Sequence, residues 1–309
     1  PYTEQYSLPP SIVVNKNLEQ AMPFLTEHTD FIVSPESAIQ EKIWERHVYQ
    51  YKSLQLLKQF VVSHPPVGIV IGASTYREFL PGEEVSYTAR KFVDADRYYD
   101  RFNTAFYLNV GPIDQWTHKS RLTPGVERMP FPKYLGFLEN FALDLGGTVG
   151  SLGVDAERKV FTRPSDSLRF AAAICFESIF GEFYAEFVRG GAEIMFIVTN
   201  DGWWGITPGH RQHMSFARMR AIETRRSIAR SANTGISAFI NQRGDVEQKL
   251  PYWVPGGLSQ MINANDKLTF YTVYGNYIAR ISSFITAILL LFTIAKVLMN
   301  RRKPLGSTK

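Results

Sequence analysis

A single cysteine in 309 residues excludes an intrachain disulfide framework. No internal repeat or low-complexity stretch occurs, which excludes a solenoid or a long disordered linker. An excess of one charge is also missing from the body of the chain. The net charge is +5, and Arg301, Arg302, Lys303 and Lys309 account for four of those charges, leaving +1 elsewhere. A nearly neutral body argues against nucleic acid as a partner. The glycine-rich stretch 146–153 has no Lys-Ser/Thr pair after it and reads as a flexible loop, not a phosphate cradle. His210 and His213 have i, i+3 spacing but no third ligand nearby, so hydrogen bonding is expected of them, with no metal and no cofactor. What is abundant is apolar: 45% hydrophobic and 14% aromatic residues, enough for one large domain or two ordinary ones with a sizeable core.

Long hydrophobic runs are scarce, and one stands out. Residues 281–299 hold a single charge, Lys296, close enough to one end to snorkel outward. As a helix the run spans roughly 30 Å, about the thickness of a bilayer's hydrocarbon core. Tyr271, Tyr274 and Tyr277 precede it like an interfacial belt, and Arg301, Arg302 and Lys303 follow it. The positive-inside rule then places the tail in the cytoplasm and residues 1 to about 275 on the outer side. The competing reading is a buried C-terminal core helix, against which the basic stop counts. Pro1 is not a start residue and no signal peptide precedes the body, so a fragment with export information upstream is expected.

Before that run, short β-branched stretches alternate with longer helical patterns. Strands are expected at 31–34, 67–73, 104–110, 168–174, 194–199 and 235–240. Several are too apolar for a half-exposed sheet. Helices are expected over 41–63, through Ile43, Val48, Tyr51, Leu54, Leu57 and Val61, and over 181–189 and 212–232. Strand followed by helix followed by strand implies an α/β domain. The polar segment 77–101 reads as a long loop or hairpin between two strands.

Three chemical groups sit just past strand ends: Glu36 after Pro35, Lys119 after His118, and Cys175 after Ile174. Together they are a base, a charge stabiliser and a nucleophile. Singly, each has a plainer reading. Glu36 suits the first turn of a helix, Lys119 suits solvent, and Cys175 suits a core as a small hydrophobe. The combination at one sheet edge is the stronger signal, because loops at strand ends carry function.

Pro35-Glu36, Lys119 with Glu127 eight residues on, and Ile174-Cys175-Phe176-Glu177 resemble the Glu-Lys-Cys triad of the nitrilase, or carbon–nitrogen hydrolase, superfamily. Thr199-Asn200-Asp201-Gly202-Trp203-Trp204-Gly205, with His210 and His213 following, looks like its apolipoprotein N-acyltransferase branch. The resemblance implies a nitrilase-like four-layer αββα sandwich over 1–275, a transmembrane helix over 276–300 and a basic cytoplasmic tail over 301–309. The family's first core strand and upstream membrane helices are absent from this sequence. Phe176 stands where tyrosine is common, Thr123-Pro124-Gly125-Val126-Glu127 departs from the usual wording, and 77–101 is an insertion.

By the resemblance, Glu36, Lys119 and Cys175 are catalytic, with Glu127 and Glu177 in support. Phe176, Asn200, Trp203 and Trp204 would bind substrate. The apolar stretch 134–143 would add an acyl-facing wall or ordinary core packing. The implied activity moves a fatty-acyl group from a phospholipid, through a cysteine thioester, to the amino terminus of a diacylglyceryl-cysteine in a bacterial apolipoprotein. The implied setting is the inner membrane, with the catalytic domain outside, as a monomer. The alternatives are a membrane-tethered amidase or nitrilase acting on a small substrate, and a degenerate domain that only binds.

Overall fold

The computed structural model describes residues 7–111, 114–128, 151–205 and 207–301. Two six-stranded sheets lie back to back. The first is built from β1 (Phe31–Val33), β2 (Ile39–Trp44), β3 (Gly68–Glu78), β4 (Arg90–Lys91), β5 (Tyr98–Leu108) and β6 (Gln115–His118), with β1, β3, β5 and β4 side by side. β2 also pairs with β3, and β6 with β5. The second sheet runs in the order β12 (Val246–Lys249), β11 (Ala238–Ile240), β10 (Ile228–Ala232), β9 (Ile194–Thr199), β8 (Arg169–Ile174) and β7 (Phe161–Thr162). Its three central strands, β8, β9 and β10, are parallel.

Period-2 alternation explains the layering. On β3, Ile69, Ile71 and Ala73 face a core shared with Val14 of α1 (Pro10–Ala21) and with Leu54, Leu57 and Val61 of α2 (Lys52–Ser63). Val70, between them, faces the other sheet. On β8, Ala171 and Ala173 face Phe183, Phe187 and Val188 of α3 (Gly181–Arg189) and Met214, Ala217 and Ala221 of α4 (Gly209–Thr224). Phe170, Ala172 and Ile174 face inward with Phe196, Val198, Ala105 and Tyr107. Three apolar cores therefore separate four layers, helix, sheet, sheet and helix, as the resemblance implies.

Two expected helices are corrected. The pattern over 41–63 splits into β2, a 3-10 turn over Glu45–Gln50, and α2. Ile39 and Ile43 are spaced for a helix, but both are buried in a strand that pairs with β3 through an irregular register. Tertiary pairing overrides the local period there. The helix expected over 212–232 stops at Thr224, where Arg225 takes a left-handed φ of 53°. The chain then enters β10, whose Ile228 and Ala229 fill cores on opposite faces of the sheet. Segment 77–101 is the outer part of the β3–β5 hairpin, paired from Arg77 with Asp100 and from Glu78 with Tyr99.

After the second sheet come α5 (Phe270–Tyr274) and α6 (Tyr277–Arg301). Within the 24-residue stretch Tyr277–Asn300 of α6, the most apolar 18-residue window has a mean hydropathy of 2.2 and is not buried against the rest of the protein. It is long and apolar enough to cross a membrane. A polar joint holds its start: Glu182 Oε1 accepts from the Asn276 N–H at 2.7 Å and from Arg280 Nη2 at 2.6 Å. Tyr271 is half-buried, with its hydroxyl against Gly181, whereas Tyr274 and Tyr277 stand exposed around Phe270.

Candidate active site

β1 ends at Val33, and the chain turns through Pro35 to bring the Glu36 side chain between the sheets. The turn is possible because β3 passes directly beneath it at Gly72. A Cβ on Gly72 would lie 2.5 Å from Glu36 Cα, and the Gly72 N–H donates to the Pro35 carbonyl at 3.0 Å. Ser37 follows with a φ of 53°, which swings the chain away into β2. The Glu36 carboxylate is buried yet well supplied with donors. Oε1 accepts from Lys119 Nζ at 3.0 Å and Asn103 Nδ2 at 2.7 Å, and Oε2 from the Asn200 N–H at 2.8 Å. Among the described residues Oε2 meets no second donor, which leaves a lone pair for another proton.

Lys119 sits one residue past β6, only 1% exposed, with its own N–H bonded to the Asn103 carbonyl. Its ammonium also meets Glu127, 2.9 Å from Oε1 and 2.8 Å from Oε2. Burial alone would pull its pKa down. The charges of Glu127 and Glu36, and the nearby Cys175, outweigh that and hold it well above the ordinary lysine range. Burial likewise works to raise Glu127, but Lys119, the Thr123 N–H and Asn103 keep it lowered. Lys119 is thus a fixed cation.

Cys175 follows β8 and opens a 3-10 turn, Cys175–Ile179, with a φ of 49°. A non-glycine residue in that region is strained by about 1–3 kcal/mol, and such strain clusters at functional sites. Burial, followed by the Glu36 charge, pushes the thiol pKa up, against the opposing pull of Lys119 and of a Thr199 hydrogen bond. The resting group is therefore the thiol, and attack by sulfur requires a base that takes the proton in the same step.

The remaining expected residues divide by position. Glu177 is buried two residues past Cys175. Its Oε2 accepts from the Ile174 N–H at 2.8 Å, and its Oε1 from the N–H groups of Ser120 at 2.6 Å and Arg121 at 3.4 Å. It ties the strand end before Cys175 to the loop after Lys119. Burial pushes its pKa up to about 7 against those backbone donors. The Phe176 ring packs edge-on against Phe180 at 5.2 Å. Asn200 is used through its backbone N–H to Glu36, while its side-chain oxygen accepts from the Gly202 N–H at 3.1 Å and caps the turn Asp201–Trp204. That turn carries Trp203 and Trp204, 38% and 37% exposed. Residues 134–143 lie outside the described residues.

Sequence reasoning missed two parts of the site. Asn103 bridges Glu36 and Glu127 with one amide nitrogen, at 2.7 and 2.9 Å; it lies one residue before the expected strand 104–110, among Asp100, Arg101 and Thr104, where nothing in the local pattern singles it out. His118 is clamped between Glu45 Oε1 and Asp155 Oδ1, each at 2.8 Å, and stacks on Phe102 at 4.0 Å. Burial works to lower its pKa, but the two carboxylates raise it overall. His210 stacks on Tyr252 at 4.1 Å, and His213 belongs to a buried hydrogen-bond network. A cavity of about 1120 Å³ runs along the outer edge of β1 and touches Glu36, but neither Lys119 nor Cys175 lines it. It is not where the three groups meet.

The four-layer sandwich sets Glu36, Lys119 and Cys175 shortly past the ends of β1, β6 and β8. The chain belongs to the carbon–nitrogen hydrolase family, whose profile matches residues 11–265. Among solved structures it is similar to a nitrilase-superfamily protein of Saccharomyces cerevisiae, with a TM-score of 0.53, 15% identity, and 80% of this chain and 82% of that one covered. It is also similar to a CN-hydrolase superfamily protein of Xanthomonas campestris, with a TM-score of 0.51, 13% identity and coverage of 78% and 80%. These likenesses show the fold.

Two curated relatives carry the same name. The apolipoprotein N-acyltransferase of Chlorobaculum tepidum is 35% identical over 197 residues, 62% of this chain and 37% of the relative. That of Bdellovibrio bacteriovorus is 27% identical over 290 residues, 89% of this chain and 48% of the relative. The chain spans less than half the length of either.

Proposed function

We propose that this chain carries the acyl-transfer centre of an apolipoprotein N-acyltransferase, with Cys175 as nucleophile, Glu36 as general base and Lys119 as charge stabiliser. Glu36 takes the thiol proton as sulfur attacks the carbonyl of a phospholipid ester. The oxyanion collapses, the lysophospholipid oxygen leaves with that proton, and a thioester remains on Cys175. The amino group of a diacylglyceryl-cysteine then attacks the thioester. Glu36 receives the amine proton, the amide forms, and the proton returns to sulfur. Two half-reactions through one covalent intermediate give ping-pong kinetics.

One observation carries this reading. Lys119 joins two buried carboxylates at 2.8–3.0 Å, beside a thiol whose charge environment includes both Glu36 and Lys119. A buried ion cluster of that kind is costly unless it has work to do. Glu127 and Glu177 hold the lysine and the nucleophile turn. Trp203, Trp204 and Phe176 would line the entry for acyl chains in this reading. In this account 1–275 is the catalytic domain, outside the bacterial inner membrane, 276–300 spans it and 301–309 is cytoplasmic. The anchor keeps the site at the lipid surface, because drawing acyl chains into water would cost about 0.8 kcal/mol per CH₂.

The test is a comparison of acceptors. Detergent-solubilised protein charged with phosphatidylethanolamine should acylate a synthetic diacylglyceryl-cysteinyl peptide on its amino group, and Cys175→Ala should abolish it. Release of free ammonia from small amides, with no peptide acylation, would favour a membrane-tethered amidase instead.

A further inference from the structure

A second buried cluster lies behind the nucleophile. Asp201, His213, Ser178 and Arg230 are each 3% exposed or less. Asp201 Oδ1 meets His213 Nδ1 at 2.8 Å, and Asp201 Oδ2 meets Arg230 Nη2 at 2.8 Å. Thr199 Oγ1 donates to Asp201 Oδ1 at 3.0 Å. With its ring fixed in this way, His213 turns Nε2 to the carbonyl oxygen of Cys175 at 3.0 Å. Ser178 Oγ donates to the same oxygen at 2.7 Å and lies 2.9 Å from His213 Nε2.

A carbonyl that holds two side-chain partners cannot rotate freely, and here it belongs to a residue at φ 49°. Across a planar trans peptide, C=O and N–H point in opposite directions. Pinning the Cys175 oxygen toward His213 and Ser178 therefore aims the Phe176 N–H the other way. That N–H lies in the first turn of the 3-10 segment Cys175–Ile179, where amide hydrogens have no partner within the helix. A fixed N–H one residue after a nucleophile suits the oxyanion that forms when sulfur adds to a carbonyl.

We propose that His213, held by Asp201 and working with Ser178, is a positioning residue that locks the Cys175–Phe176 peptide so that the Phe176 N–H serves as an oxyanion donor. This rests on Cys175 being the acyl-carrying nucleophile. His213 touches no substrate; it acts through the backbone.

The only thiol in the chain permits a two-reagent test on the whole protein in detergent micelles. A p-nitrophenyl acyl ester acylates sulfur through a tetrahedral oxyanion and releases nitrophenolate. Iodoacetamide alkylates the same sulfur by displacing iodide, with no oxyanion. His213→Ala should slow acylation about 10²-fold and alkylation by no more than about threefold, since the loss of an oxyanion donor spares the thiol itself. His213→Gln, which keeps a donor near the Nε2 position, should recover about tenfold of that loss, and Ser178→Ala should fall in between. Equal losses in both reactions, or no loss in either, would overturn the proposal. Should His213→Ala fail to fold by near-UV circular dichroism, Ser178→Ala, which removes one hydroxyl, decides by the same ratio. A Cys175→Ala protein that still turns over the ester would instead overturn the nucleophile assignment.

Discussion

Replacing Lys119 with methionine would nearly keep the length of the side chain and remove the cation that joins two buried carboxylates. The structure puts Nζ 3.0 Å from Glu36 and 2.8 Å from Glu127. At an effective dielectric of about 20, each contact is worth about 6 kcal/mol of Coulomb attraction before desolvation is set against it. Removing one partner of such a buried cluster typically costs about 3–5 kcal/mol, because an uncompensated charge stays behind. Denaturant unfolding in micelles should show that loss for Lys119→Met. Glu127→Gln, which removes a charge but keeps an oxygen for Lys119 and Asn103, should lose only about 1–2 kcal/mol. The Lys119→Met, Glu127→Gln double variant should lose less than the sum, since the second change removes one stranded carboxylate. Acyl transfer should fall at least about 10²-fold with Lys119→Met. A stability loss below about 1 kcal/mol, with additive single effects, would refute the cluster as the physical heart of the site.

Other outcomes follow from the same contacts. Gly72→Ala would press a Cβ to within 2.5 Å of Glu36 Cα and should cost about 1–3 kcal/mol in unfolding experiments, with most activity lost. Glu177→Ala strands the N–H groups of Ile174 and Ser120, at about 1–3 kcal/mol each; thermal scans should register the loss, and acylation should fall with it. His118 carries a raised pKa in the folded protein, so its contribution to stability is complete below its ordinary pKa of about 6.5 and is lost as pH rises through the raised value. The unfolding midpoint of the wild type should therefore drop across that window, whereas His118→Gln should show a lower midpoint with less dependence on pH.

Strand ends were legible because they coincide with chemistry. Val33, His118 and Ile174 each end an element, and the group that matters comes within the next three residues. That the sheets are covered on both faces was legible in the apolar runs 68–73 of β3 and 170–174 of β8, whereas the four-layer order was an expectation from the family resemblance. What local patterns hid was competition from pairing. Ile39 and Ile43 satisfy a helix as well as a strand, and only the open side of β3 decides between them. Ile228 to Ala232 continues a plausible helical stripe, yet its small and branched residues are needed between β9 and β11. In the site, Asn103, Asp201 and His213 act by holding other groups in place, and such roles depend on approach across the fold, which spacing along the chain does not record. Glu36 and Asn200 are 164 residues apart and meet at 2.8 Å.

The central claim is that an acyl group from lipid comes to rest on the sulfur of Cys175. Incubating the solubilised protein with phosphatidylethanolamine and no acceptor, then mapping the product by tandem mass spectrometry, tests it most directly. The account predicts one fatty-acyl mass increment on the peptide containing Cys175, removed by neutral hydroxylamine and missing from Glu36→Gln. An unmodified Cys175 peptide, with lysophospholipid released at the wild-type rate, would contradict it.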